Sequence, residues 1–203
     1  MRAREPVALL ILVAAALVVS GIRPEDRLTW VLEILPILIV VPLLVTTWRR
    51  FPMTPLVYRL IFVHALILLV GGHYTYEKVP LGDWAREAFG LARNHYDRLG
   101  HFAQGFVPAI AAREILIRRS PLGRGGWLFL VVTCVCLSAS ACFEMVEWSA
   151  ALLLGTDADA YLATQGDPWD TQWDMFLALA GALLAQLALG GVHDRELAAQ
   201  ATA

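Results

Sequence analysis

Three pairs of ionisable residues stand at helical spacing in this sequence. Asp97 and His101 are four apart, Glu144 and Glu147 three apart, and Asp170 and Asp174 four apart, so each pair shares one face of a helix. An imidazole among carboxylates can move protons or hold a hard divalent cation, and the residue types leave both readings open. In one, His101, Glu144 and Asp174 ligate an ion of the Zn, Mn, Mg or Ca type. In the other, which is metal-free, His101 acts as base and a protonated Glu144 as acid. His73, His95, Gln104, Trp148 and Trp173 adjoin the pairs and are candidate substrate contacts.

The elements that must position these groups are membrane helices. Hydrophobic residues make up 58% of the 203-residue chain, above the roughly 45–50% usual in soluble domains. Crossing hydrocarbon takes about 20 apolar residues, and the pattern predicts an all-α polytopic bundle of about six spans in one domain. They cover approximately 6–22, 29–48, 55–76, 97–119, 127–154 and 171–191. The first follows Arg2 and Arg4 and reads as a retained helix, because Val18-Val19-Ser20-Gly21 is a poor signal-peptidase site. Leu81, Trp84, Ala85, Ala88, Phe89 and Ala92 recur at helical spacing against Arg86, Glu87 and Arg93, which predicts a short interfacial helix.

Threading six helices brings the ends of the third and fifth and the starts of the fourth and sixth to one membrane face, where all three pairs gather. Basic residues in short loops favour the cytoplasm. Arg2, Arg4, Arg49, Arg50, Arg118, Arg119, Arg124 and Arg195 outnumber Arg23, Arg27, Lys78, Arg86 and Arg93, so both termini are expected inside and the cluster outside. A net charge of −2 without aromatic–basic interleaving argues against a nucleic-acid partner and leaves membrane lipid as the expected one; the sequence does not indicate an oligomeric state.

The remaining polar residues read as structural. Cys134, Cys136 and Cys142 lie in an apolar run without CxxC spacing and act as small apolar side chains. His64 reads as a satisfied bundle histidine, His193 as solvated in a polar tail, and Glu114 with Arg118 as an ordinary i,i+4 pair. Trp84, Trp148, Trp169 and Trp173 form an aromatic belt. Along the fourth span the stripe continues through Gln104, Gly105 and Pro108, which face other helices rather than lipid.

The segments His73-Tyr74-Thr75-Tyr76, Asn94-His95-Tyr96-Asp97-Arg98-Leu99-Gly100-His101-Phe102, Phe143-Glu144-Met145-Val146-Glu147-Trp148 and Trp169-Asp170-Thr171-Gln172-Trp173-Asp174 resemble the YjdF family of bacterial inner-membrane proteins. That resemblance spans about 55–187 and implies the fold, the inner membrane as location and the placement of the site; it supplies no reaction. A fainter similarity is to VanZ-like membrane proteins. Asp97-Arg98 with His101-Phe102 fits an Asp-basic-x-x-His-Phe segment. Glu147 stands where that pattern has Gln, and Ala178 where it has Asn between Asp174 and Gly181. This similarity implies cell-envelope lipid or glycan chemistry.

The expected function is an envelope-lipid hydrolase or transferase at the outer face, with Asp97, His101, Glu144, Glu147, Asp170 and Asp174 as catalytic candidates. Cation or proton-coupled transport, or a non-catalytic scaffold, are the alternatives.

Overall fold

The computed structural model describes residues 4–155 and 159–202. Arg2 of the inner basic set and residues 156–158 of the loop before the sixth span lie outside the described residues. Among the described residues the chain is all-helical: α1 Arg4–Ser20, α2 Arg27–Thr47, α3 Pro55–Tyr74, α4 Pro80–Phe89, α5 Tyr96–Arg119, α6 Gly126–Leu154, the single turn α7 Asp159–Leu162, and α8 Asp170–Ala201. A 3₁₀ turn at Tyr76–Lys78 joins α3 to α4.

Four of these helices, α2, α3, α6 and α8, are long and apolar enough to cross a membrane. The other two predicted spans are present as helices but fall short alone, for different reasons. Over its described residues α1 has 17, or about 26 Å. At 24 residues α5 is long enough, but Asp97, Arg98, Arg113, Glu114, Arg118 and Arg119 make it polar. That polarity is internal, since Asp97, His101, Arg113 and Glu114 are all buried.

Local chemistry sets the helix ends. Asp26 caps α2 by accepting from the Thr29 amide at 2.7 Å, and Pro55 and Pro80 open α3 and α4, where a missing N–H costs no intrahelical bond. Gly90, at φ +63°, ends α4 in the left-handed region. The amphipathic α4 leaves Leu81, Trp84 and Phe89 exposed, in keeping with the interfacial helix expected there.

Helix α5 packs against α3, α6 and α8, and α3 in turn carries α1 and α2. One apolar core joins Val57, Ile110, Leu128, Val132 and Ala182; a second joins Val13, Ile34, Ile37, Ala65 and Leu69. The closest approach is α5 on α8. A Cβ on Gly105 would collide with the Ala178 carbonyl, and one on Gly181 with the Phe102 carbonyl. Close backbone contact through small residues is how membrane helices gain packing without a hydrophobic driving force. Here it locks the helix bearing Asp97 and His101 to the helix bearing Asp174.

The end of α8 corrects the sequence reading. No solvated tail follows residue 191; the helix continues to Ala201, and His193 is fully buried. His193 Nε2 lies 3.1 Å from Glu114 Oε2, and that carboxylate also accepts from the Thr54 amide, the Thr54 hydroxyl and Arg118. Arg113 donates to Asp194 and faces His193 Nδ1. Glu196 accepts from the Leu56 amide at the start of α3, and Gln200 donates to the Pro52 carbonyl. Glu114 and Arg118 are thus part of a network that ties α3, α5 and α8 together, not an isolated surface pair.

Candidate functional site

At the opposite end of the bundle, Asp97 and His101 from the start of α5 meet Glu144 from α6 and Asp174 from α8. Each is at least nine-tenths buried. His101 Nε2 lies 3.5 Å from Asp97 Oδ1 and 3.9 Å from Asp174 Oδ2, and His101 Nδ1 lies 3.8 Å from Glu144 Oε1. One ligand-type atom each from Asp97, His101 and Asp174 falls within a common 4.8 Å. Gln104 Oε1 sits 3.0 Å from His101 Nδ1, so with this carbonyl as acceptor Nδ1 carries the hydrogen and Nε2 turns to the two aspartates.

These carboxylates differ in kind from Glu114. Asp97 Oδ2, Glu144 Oε1 and Asp174 Oδ1 are buried without any hydrogen-bond partner, whereas Glu114 is surrounded by donors. Buried polar atoms are nearly always paired, and several unpaired carboxylate oxygens in one place call for an explanation such as a catalytic role or a bound ion. The unpaired cluster is therefore the functional candidate and the paired one a structural anchor.

An elongated cavity of about 250 Å³ leads away from the cluster. It takes one stripe from each of three helices: Glu33, Pro36, Ile37, Val40 and Val41 on α2; Ile61, His64, Ala65 and Leu68 on α3; Asp97, Gly100, His101, Gln104, Val107, Pro108 and Ala111 on α5. Tyr76, Phe143 and Glu147 complete its polar end. From Asp97 to Ala111 the wall is about 21 Å long, most of a 30 Å hydrocarbon core. A larger cavity, about 610 Å³, lies between α1 and α2 and is lined by none of the chain's carboxylates or histidines.

Around the core group a second layer of charge is paired. Arg93, expected on the polar side of the interfacial helix and among the outer basic residues, lies past the end of α4 and is buried. It donates to Asp170 at 2.5 Å and to the Ala163 carbonyl, and stands 3.5 Å from Asp167 and 3.8 Å from Asp97. Asp170 is therefore engaged by Arg93 and does not join the His101 group. Arg98 binds Asp167 at 2.8 Å, donates to His95 Nδ1 and lies over the Trp173 ring, 5.3 Å from its centroid. Burial, with Arg98 and Arg93 nearby, lowers the His95 pKa from the ordinary histidine value.

Other predicted contacts separate in the same way. Gln104 and Glu147 line the cavity, while His95, Trp148 and Trp173 do not, and Trp148 is exposed on the outside of α6. Half a turn of offset along α3 puts His73 and His64 on opposite faces, but it is His73 that leaves the site, its Nδ1 2.8 Å from the Ser20 carbonyl on α1. His64 faces the cavity, and its buried Nε2 has no partner, which corrects its reading as a satisfied bundle histidine. The Gln104–Gly105–Pro108 stripe splits, Gly105 facing α8 and the other two the cavity.

Glu33 and Tyr76 are members that the motif reasoning passed over. A lone carboxylate in the apolar α2 is itself a signal of function. Tyr76 is placed by Thr75, at φ +54°, which turns the chain so that the ring drops back between Gly71 and Gly100. A Cβ on Gly100 would stand 2.9 Å from the Tyr76 ring.

A family model described as "Predicted membrane protein (DUF2238)" matches residues 5–195, and the chain is 54% identical over 181 residues to the inner membrane protein YjdF of Escherichia coli (strain K12). That alignment covers 89% of this chain and 87% of the relative. The chain belongs to the YjdF family. It is a membrane protein of that family, with four helices long and apolar enough to cross a bilayer. No solved structure matches it.

Proposed function

We propose that this YjdF-family chain is an inner-membrane enzyme that acts on the polar head of a membrane lipid at the outer face. The observation that supports this reading is the continuity of the His101 cluster with a largely apolar cavity of about 250 Å³. Such a cavity buries the chain of an amphiphile and leaves its first polar bonds beside His101, Glu33 and Glu147. Entry is from the side, because α2 packs on α3 and α7 but makes no comparable packing with α5 or α6.

In this reading, a water or a headgroup hydroxyl attacks a phosphoryl or acyl centre and gives its proton to His101 Nε2. The bond to the departing oxygen breaks, and a protonated carboxyl at Glu144 or Glu147 returns a proton to that oxygen. Glu147 lines the cavity and Glu144 adjoins His101. Transport would need polar groups continuing to the far face. Beyond His64 and Gln104 the lining is apolar, and the Glu114 carboxylate is taken up by its own donors.

The reading includes six crossings with both termini in the cytoplasm, α1 completing a crossing and α5 crossing inside the bundle. A periplasmic-active reporter fused after Arg195 is expected to be silent; activity there would reverse the orientation.

The test is turnover by purified protein of diacyl and prenyl lipids in vesicles, compared with short-chain soluble analogues, with products identified by mass spectrometry. Narrowing the cavity with Ala111→Phe is expected to raise KM for the long-chain substrate about ten-fold or more and leave the short-chain analogue unchanged. Equal effects on both, or no turnover of any lipid, would remove this function.

A further inference from the structure

We propose that Asp97, His101 and Asp174 form a binding site for one divalent cation, with Gln104 as the residue that orients the histidine. The first observation is convergence. Ligands about 2.1 Å from a common ion are separated by roughly 3.0 Å at a right angle and roughly 3.4 Å at the tetrahedral angle. His101 Nε2 and Asp97 Oδ1 stand 3.5 Å apart, His101 Nε2 and Asp174 Oδ2 3.9 Å, and all three ligand atoms lie within 4.8 Å of one another, so closing on an ion draws the side chains together by up to about 1 Å.

The second observation is independent of the first. Asp174 Oδ1 is buried without any partner on a residue that is 2% exposed, and Asp97 Oδ2, on a residue 6% exposed, makes no hydrogen bond and has only the Arg93 guanidinium at 3.8 Å. Each is the second oxygen of a carboxylate already turned toward His101, which leaves room for either one-oxygen or two-oxygen ligation. Third, the Gln104 contact at Nδ1 fixes the ring so that Nε2 presents its lone pair to both aspartates. Metal-ligating histidines usually carry such a partner on their other nitrogen.

Two carboxylates balance a divalent ion, and one nitrogen with two oxygens suits Mn²⁺ or Zn²⁺ over soft monovalent copper. With an ion held by His101 Nε2, that nitrogen is no longer the base; Glu144, 3.8 Å from the other ring nitrogen and outside the ligand set, would take the proton in its place and Glu147 would return one. The Gly105 and Gly181 contact holds α5 and α8 at the separation the ligands require.

This inference concerns the same site as the proposed function, but its readout is binding, not turnover. The protein in detergent is titrated with Mn²⁺ and followed by electron paramagnetic resonance, with a parallel zinc load measured by elemental analysis after dialysis. About one equivalent of ion is expected. Binding should be lost in Asp97→Asn and Asp174→Asn and weakened about 10- to 100-fold in Gln104→Ala. It should be unchanged in Trp148→Ala, whose side chain is exposed away from the site. Monodispersity on gel filtration separates loss of ligand from loss of fold, and the wild-type stoichiometry stands whichever variant misfolds. Less than about a tenth of an equivalent of both ions in wild-type protein, or binding that survives both aspartate changes, overturns the site. Lipid turnover without metal would leave the proposed function standing as acid–base catalysis.

Discussion

Replacing Asp97 by Asn, His101 by Gln or Asp174 by Asn is expected to lower lipid turnover by about 10²–10⁴-fold each, and combining them should lower it little further. The reason is that His101 Nε2 faces both aspartates from one position, so none of the three side chains can act without the others. Residues that operate as a unit give non-additive losses, whereas independent ion pairs give losses that add. Kinetics on the three single variants and one double variant, each checked for expression and monodispersity, decide between them. Multiplicative losses would dissolve the single-site reading. His64 cannot serve as the inert control, because it lines the same cavity; exposed Trp148 can.

The largest stability effect is expected at the other end of the molecule. Glu114→Ala should destabilise the bundle by about 3–5 kcal/mol and leave cation binding at the His101 end unchanged. Removing this carboxylate strands the Thr54 amide and hydroxyl, Arg118 and His193 around a site where Glu114 and His193 have no exposure. Glu114→Gln keeps an acceptor for Thr54 and should cost about half as much or less. Reversible unfolding in mixed micelles measures both, and an unchanged midpoint for Glu114→Ala would show that the network does not anchor α3, α5 and α8.

The two carboxylate-rich ends look alike in composition, and their difference lies in pairing. At the Glu114 end, backbone and side-chain donors converge on a single carboxylate. At the His101 end, carboxylate oxygens face an imidazole, Glu144 Oε1 and Asp174 Oδ1 accept no hydrogen bond, and Asp97 Oδ2 has only the Arg93 guanidinium at 3.8 Å. Buried carboxylate oxygens left unpaired call for an explanation, and a catalytic role or a bound ion supplies one.

Much of this was readable before any fold was known. Helix geometry is local, so Asp97 with His101 necessarily shared a face, and the alternation of long apolar segments placed the starts of α5 and α8 beside the ends of α3 and α6. Periodicity likewise marked the amphipathic α4. What spacing cannot supply is the rotation of each helix about its axis. That rotation turned His64 rather than His73 into the site, and it is set by where side chains from other helices fit, as with Gly105 against Ala178. Nor can hydropathy tell a solvated charge from one buried among partners distant in sequence. Arg93 against Asp170 and His193 against Glu114 were both read as surface groups for that reason. The sequence by itself determined which residues share a helix face and which helix ends meet at one end of the bundle. Tertiary structure decided which charges are paired and which are left facing a cavity, because pairing depends on contacts between helices.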